Sequence, residues 1–266
     1  MHINAVDIYQ PGESPLHRLD ARAKVLAAFL LILLISLSPI GAFGVYGLLL
    51  LVVFAGVWIG QLQPAAYLRR SLIAVPFALA AVTLMFTVPG RTLWTVPLVG
   101  WTVSYAGLAR FGSILIKSWL SVQVAVLMSM TTHFTDLLCA LRALRVPRVL
   151  VAIISFMYRY IFVLADEALR LTRAREARSA TGPGGRGGGP LAWRMQVAGG
   201  MVGNLFLRSY ERSERVHQAM AARGYKGELR QLSPSPIHWR DIFWASLPIA
   251  SSIIILVGNL CITRLR

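Results

Sequence analysis

From Val25 to Leu68 the chain carries no charged side chain, an unbroken run of 44 residues. A run this long has no polar face to turn to water, and it is enough for two membrane-spanning helices of about 20 residues each. Ser38-Pro39-Ile40-Gly41 supplies the reversal between them, because proline and glycine break a helix and favour a turn. Gly56-Val57-Trp58-Ile59-Gly60 has small residues four apart, a spacing that lets a neighbouring helix approach closely. The whole chain follows suit: 56% of its 266 residues are hydrophobic and 14% are charged. Soluble domains carry about 25% charged residues, so the composition is that of a multi-pass membrane protein.

The remaining segments arrange themselves around this run. Residues 1–20 are polar and broken by Pro11, Gly12 and Pro15, and Asp20 is placed to cap the helix that follows. The start, Met1-His2-Ile3-Asn4-Ala5-Val6-Asp7, lacks the basic-then-apolar pattern and small-residue cleavage site of a secretory signal. Arg69 and Arg70 mark a cytoplasmic turn, and Ser71 to Gly90, with Pro76 inside, reads as a third span. Residues 91–104 hold Trp94 and Trp101 and read as interfacial, since tryptophan favours the headgroup level. A fourth span fits 106–130 and carries Arg110 and Lys117. An intramembrane lysine has two readings: a partner inside the bundle, or a role in transport.

Residues Thr131 to Asp136 read as the cap of an amphipathic helix, with Leu137, Leu138, Leu141 and Leu144 at helical spacing and Pro147 ending it. Val149 to Ala165 is apolar for only 17 residues and is interrupted by Arg159. Had it crossed, Arg170, Arg173, Arg175 and Arg178 would emerge outside, against the positive-inside bias. One helix over 149–178 is therefore expected, dipping into the inner face and returning, with Asp166 and Arg170 paired at i,i+4. Thr181 to Pro190 has six glycines and two prolines in ten residues and reads as a flexible linker. A second long helix is expected over 191–223, with Glu211 and Arg215 at i,i+4 and Gly224 as a left-handed cap. Ile242 to Thr263 is a last span.

The fold class expected is all-α, a multi-pass bundle with long amphipathic cytoplasmic helices. Its expected domains are 1–130 (the N-terminal segment and four spans), 131–240 (cytoplasmic or interfacial helices with the linker 181–190) and 241–266 (the C-terminal span). The place expected for it is a membrane that it crosses several times.

The formal charge is +16, with 24 arginines and three lysines, and 16 of the 27 cations lie between Arg142 and Arg230. Arginine suits fixed, forked contacts to carboxylates or phosphates. Lipid headgroups are one partner for such a surface. Nucleic acid is not, because no readable groove-binding or stacking element accompanies the charge. Cys139 and Cys261, alone and 122 positions apart, make no disulfide framework. No Gly-x-x-x-x-Gly-Lys-Ser/Thr occurs, and the five histidines are scattered. Neither a nucleotide-hydrolysing loop nor a metal site is therefore expected. No catalytic residue, cofactor or enzyme activity is expected.

What the sequence does present is an arginine near the end of each long helix. Ala177-Arg178-Ser179 closes the first and Ala222-Arg223-Gly224 closes the second. Taken singly, each is a cation offsetting a helix dipole, with glycine as cap. Two helices that flank one linker and end in the same way suggest more.

Several stretches carry a resemblance: Pro11 to Lys24, Leu137 to Pro147, Gly203 to Val216, and Ala-Met-x-x-Arg-Gly-Tyr at 219–225. With these the chain resembles, end to end, the transmembrane coupling subunit, or T component, of energy-coupling factor transporters. The 203–216 stretch is similar to the cobalt branch of that family. The resemblance implies a non-catalytic subunit of an ATP-driven importer. Its partners would be ABC-type ATPase subunits and a separate substrate-binding membrane subunit. It further implies that Ala222, Arg223 and Gly224, and Ala177 with Arg178, enter grooves of the ATPases. Ser179 stands where the family has glycine, so Arg175 stays open beside Arg178. Cobalt is the cargo implied, with nickel or a vitamin as alternatives. A stand-alone channel or carrier is the competing class, and it should show internal repeats and broken helices with charged groups at mid-membrane; only Lys117 and Arg110 qualify as such charges, and no repeat is detected.

Overall fold

The computed structural model describes residues 9–72, 76, 81–83, 87, 92–96, 101–178, 190–227 and 238–264. The chain divides into two compact units: Asn4–Leu144 with Ser233–Arg266 form one, and Arg145–Leu232 belong to the other.

The first unit is a helical bundle. A single turn, α1 (Pro15–Arg18), starts at Ser14, whose hydroxyl accepts from the His17 N–H. Helix α2 (Ala21–Leu37) is capped by Asp20, which accepts from the Arg22 N–H at 2.8 Å. The cap expected at Asp20 is therefore present. The reversal expected at 38–41 is also present. Gly41 takes φ +84°, a left-handed conformation that glycine adopts without steric cost, and α3 (Phe43–Ile59) follows. These two 17-residue helices lie at the short end of the range for a membrane span. A basic helix, α4 (Pro64–Ser71), ends in Arg69 and Arg70. Of the third span expected over 71–90, most residues lie outside those described, and Ala81–Thr83 form a 3-10 turn.

Residues 92–96 and 101–104 are extended rather than helical. Strands β1 (Thr92–Val96) and β2 (Trp101–Ser104) pair antiparallel, Thr95 opposite Thr102 and Val96 opposite Trp101. Threonine, valine and tryptophan, which favour pleated surfaces, fill this ribbon, and it is the one pair of strands among the described residues. Helix α5 (Tyr105–Thr131) is capped by Ser104, whose hydroxyl accepts from the Gly107 N–H at 2.9 Å. Helix α6 (Phe134–Ala143) buries Leu138 and Ala140 and packs on α2.

The N-cap of α6 falls inside the expected stretch 131–136. His133 occupies that position without a side-chain cap, and Asp136 sits in the first turn, where a carboxylate still meets the positive end of the helix dipole.

The bundle core joins Ala28 and Ile35 of α2, Val45, Tyr46, Leu49 and Val53 of α3, and Leu120 and Val124 of α5. Ile255 and Leu256 of the last helix, labelled α9 (Trp239–Arg264), pack against it. Val57, Leu62, Tyr67 and Met130 form a second cluster. A Cβ on Gly56 would stand 3.0 Å from a methyl of Leu127, so the small residue allows α3 and α5 to approach.

The second unit consists of two long helices, α7 (Arg148–Arg178) and α8 (Leu191–Ala222). The linker expected at 181–190 lies, except for Pro190, outside the described residues. Among the described residues three helices are long and apolar enough to cross a membrane: Tyr105–Thr131, Arg148–Arg178 and Trp239–Cys261. The second is the one whose charge pattern reads as returning to the side it came from.

Candidate functional site

Proline at 147 stops the preceding helix, and α7 starts immediately after it at Arg148. From there α7 runs without a break for 31 residues to Arg178. Only Val151 and Ala152 are buried in it, and α8 buries none of its 32 residues. Both helices are thus held by few contacts and keep most of their surface free.

The two helices meet through a carboxylate. Glu167 Oε1 accepts from Arg208 Nη1 of α8 at 2.8 Å, and its Oε2 pairs with Arg170 Nη2 of α7, also at 2.8 Å. The Glu167 side chain is 13% exposed. The sequence reading placed Arg170 with Asp166, but the helix turns Glu167 toward α8, and the i,i+3 neighbour captures the arginine instead. Nor is the expected Glu211–Arg215 pair formed among the described residues. Charges at i,i+4 on an exposed face attract too weakly to dictate a rotamer.

From this pair the helices enclose a groove of about 370 Å³. Phe156, Met157, Tyr160 and Leu164 line one wall, and Arg212, Val216 and Met220 are on the other. Moving away from Glu167, residue numbers fall along α7 and rise along α8, so the helices run in opposite senses.

That orientation decides where the candidate arginines stand. Arg178 ends α7, 11 residues beyond Glu167, and Arg223 follows α8, 15 residues beyond Arg208. At 1.5 Å per residue they project about 16 and 22 Å from the pair in opposing directions, which separates them by about 30–40 Å. The structure therefore does not bring Arg178 and Arg223 into one site. It sets them at two ends of one device.

Each end is built differently. At the α8 end Gly224 takes φ +78°. The Tyr225 N–H donates to Met220 O at 3.0 Å, and the Gly224 N–H to Ala221 O at 2.9 Å. This bond pair closes a helix through a left-handed residue. Any side chain at 224 would be strained, and Ala222 and Arg223 are exposed beside the turn. At the α7 end Ala177 and Arg178 are exposed, Arg175 one turn earlier is half-buried, and Ser179 lies outside the described residues. Among the described residues neither Arg178 nor Arg223 forms an ion pair.

The bundle holds a second polar constellation that the sequence reading missed. His17 Nε2–H donates to Gln10 O at 3.0 Å, because a carbonyl can only accept. Its Nδ1 then accepts from the Ser14 hydroxyl at 2.7 Å. This arrangement uses the neutral imidazole fully. Burial, with Lys24 and His133 nearby, holds the His17 pKa below its ordinary value despite the Gln10 carbonyl. Lys24 Nζ ties the same segment to α5, donating to Thr131 O at 2.9 Å and to His17 O at 3.2 Å. The Tyr9 ring lies over His133 with centroids 3.5 Å apart. A Cβ on Gly12 would meet His17 Cε1 at 2.8 Å. The signal in the sequence was the polar, Gly- and Pro-punctuated stretch 9–24, which has too many specific side chains for a loose tail.

Lys117 resolves toward the internal reading. Its ammonium donates to Ser36 O at 3.1 Å and to Ser38 O, at the carboxyl end of α2. Among the described residues no group of three or more His, Cys, Asp or Glu is placed to hold a metal ion.

Comparison with known proteins adds the following. A family model described as "Cobalt transport protein" matches residues 12–233. The energy-coupling factor transporter transmembrane protein EcfT of Exiguobacterium sibiricum is 30% identical over 229 residues, covering 82% of this chain and 83% of the relative. The nickel permease LarQ of Lactiplantibacillus plantarum is 28% identical over 224 residues, 84% of this chain and 72% of LarQ. An uncharacterized protein of Methanocaldococcus jannaschii is 28% identical over 183 residues, and the match spans 60% of that relative's length.

Proposed function

The chain belongs to the cobalt transport protein family, the multi-pass transmembrane T components of energy-coupling factor transporters, and we propose that its two arginine-tipped helices are where it receives force from ATPases. In this reading Arg223, flanked by Ala222 and Gly224, enters a groove on one ATPase subunit. Arg178, with Ala177, enters a groove on a second. The chain itself hydrolyses nothing. It passes the movement of the ATPases to a separate membrane subunit that binds the cargo.

The observation that carries this is the placement of Arg178 and Arg223. Two exposed guanidinium groups, each at the tip of a helix of more than 30 residues, stand about 30–40 Å apart by helix rise. That span is too wide for one pocket and suits two subunits side by side. A pure dipole role would need no helices of such length. Helices α7 and α8 then lie at the cytoplasmic face, as the arginine content of 142–230 favours.

Cobalt is the proposed cargo, following the family description, and the nickel named for LarQ is the alternative. A stand-alone carrier draws no support from Lys117, whose ammonium donates two bonds to main-chain carbonyls at the end of α2.

Purification of the full chain from its native membranes tests the proposal. One or two ATPases and a second membrane subunit are expected to co-purify, and cobalt uptake should require all of them. A chain that purifies alone and moves cobalt alone in liposomes overturns it.

A further inference from the structure

The reach of each arginine depends on the angle between α7 and α8, and something must fix that angle. Apolar packing does not. Helix α8 has no buried residue, and a groove of about 370 Å³ separates the facing side chains of 156–164 and 209–220. Interiors that hold a fixed geometry are filled to crystal-like density, and this one is open.

At Glu167 the situation reverses. Its two carboxylate oxygens are divided between the helices, Oε2 to Arg170 on its own helix and Oε1 to Arg208 on the other, each at 2.8 Å. Arg170 holds the carboxylate plane, so the second oxygen faces α8. Charge-assisted hydrogen bonds of this kind are short, directional and about twice as strong as neutral ones. Shielding of Glu167 to 13% exposure reduces competition from water.

We propose that Glu167, oriented by Arg170 and bound to Arg208, is the positioning residue that sets the angle between the two long helices. It thereby sets the span between Arg178 and Arg223. It touches neither cargo nor ATPase. It acts through the arginines, and that last step rests on the reading of Arg178 and Arg223 as docking groups.

The test has two arms. In the full chain with Cys139→Ser and Cys261→Ser, spin labels are attached at Glu176→Cys and Gln218→Cys, exposed positions short of each tip. The distance distribution between them is measured with Glu167 present, with Glu167→Gln, and with the exchange Glu167→Arg and Arg208→Glu. A single narrow distribution is expected with Glu167, a broad or displaced one with Glu167→Gln, and narrowing again in the exchange, where the new glutamate faces Arg170 as well. An unchanged distribution in Glu167→Gln overturns the proposal. This arm needs no ATPase, so it stands or falls apart from the docking reading.

The second arm measures cargo moved per ATP hydrolysed in the assembled transporter. Glu167→Gln should lower it about threefold or more while the ATPases still co-purify, as removal of a partly shielded charge partner would. Unchanged coupling overturns the proposal. Absence of any ATPase from the unaltered chain would count against the docking reading alone.

Discussion

The ammonium of Lys117, on α5, donates to the main-chain carbonyl of Ser36 at 3.1 Å, closing the carboxyl end of α2 from a neighbouring helix. The last carbonyls of a helix have no partner inside it, and a cation there also meets the negative end of the helix dipole. Ser38 O takes a second bond from the same ammonium. Around it, Tyr46 Oη donates to Pro39 O at 2.5 Å, and the Gly41 N–H donates to Ser113 Oγ at 2.9 Å. The whole α2–α3 reversal is thereby fastened to α3 and α5.

Replacing Lys117 with methionine keeps the stem and removes the donors. The expected result is a loss of about 1–3 kcal/mol of stability, the cost of main-chain carbonyls left without a donor in apolar surroundings, read as a lower melting temperature in detergent. Transport per correctly inserted molecule should be retained. Intact stability with abolished transport would instead assign Lys117 to the cargo path.

His17 gives the fold a pH dependence. Its pKa is lowered from the ordinary 6.5, chiefly by burial. The unfolded chain therefore binds the proton more readily than the folded one. The stability that neutral His17 contributes is complete above about 6.5 and is lost as pH falls through the lower folded value. Melting temperature should drop between neutral and mildly acidic pH, and His17→Gln should flatten that part of the profile. An identical slope in His17→Gln would show that other groups carry it.

Sidedness can be read directly. In the background of Cys139→Ser and Cys261→Ser, Glu176→Cys is expected to resist an impermeant maleimide in intact cells and to react once they are permeabilised. Labelling from outside would mean that α7 crosses the membrane, which its length and composition permit.

These residues also show what the sequence could and could not reveal. The uncharged run 25–68 was legible as two helices because both membrane and core demand apolar side chains, and Ser38 to Gly41 could only be a turn. Gly224 was legible as a left-handed cap because glycine alone is unstrained there. The partners of charged groups were not legible. Choosing Asp166 or Glu167 for Arg170 depends on which side of α7 faces α8, and that is a tertiary fact. The bond of Lys24 to Thr131 joins residues 107 apart in sequence, and that of His17 to Gln10, only seven residues away, depends on how the segment folds back on itself. The strand pair 92–96 and 101–104 was hidden by tryptophans that suit both a strand and an interface. That Arg178 and Arg223 end long helices could be read from the chain. Their wide separation follows from the opposed run of α7 and α8, which no local pattern encodes.

The central claim is that Arg178 and Arg223 act through forked contacts to partner ATPases. Transport by the Arg178→Lys and Arg223→Lys double variant, normalised to its abundance in the membrane, tests it most directly. Lysine keeps the charge and serves a helix dipole equally well, an effect of about 0.3–1 kcal/mol. It cannot reproduce a planar fork of donors, and breaking a buried interfacial pair costs about 2–5 kcal/mol. The account predicts normal insertion with transport largely lost, and a deeper loss in Arg178→Ala with Arg223→Ala. Full transport by the double lysine variant would contradict it and leave both arginines as helix caps.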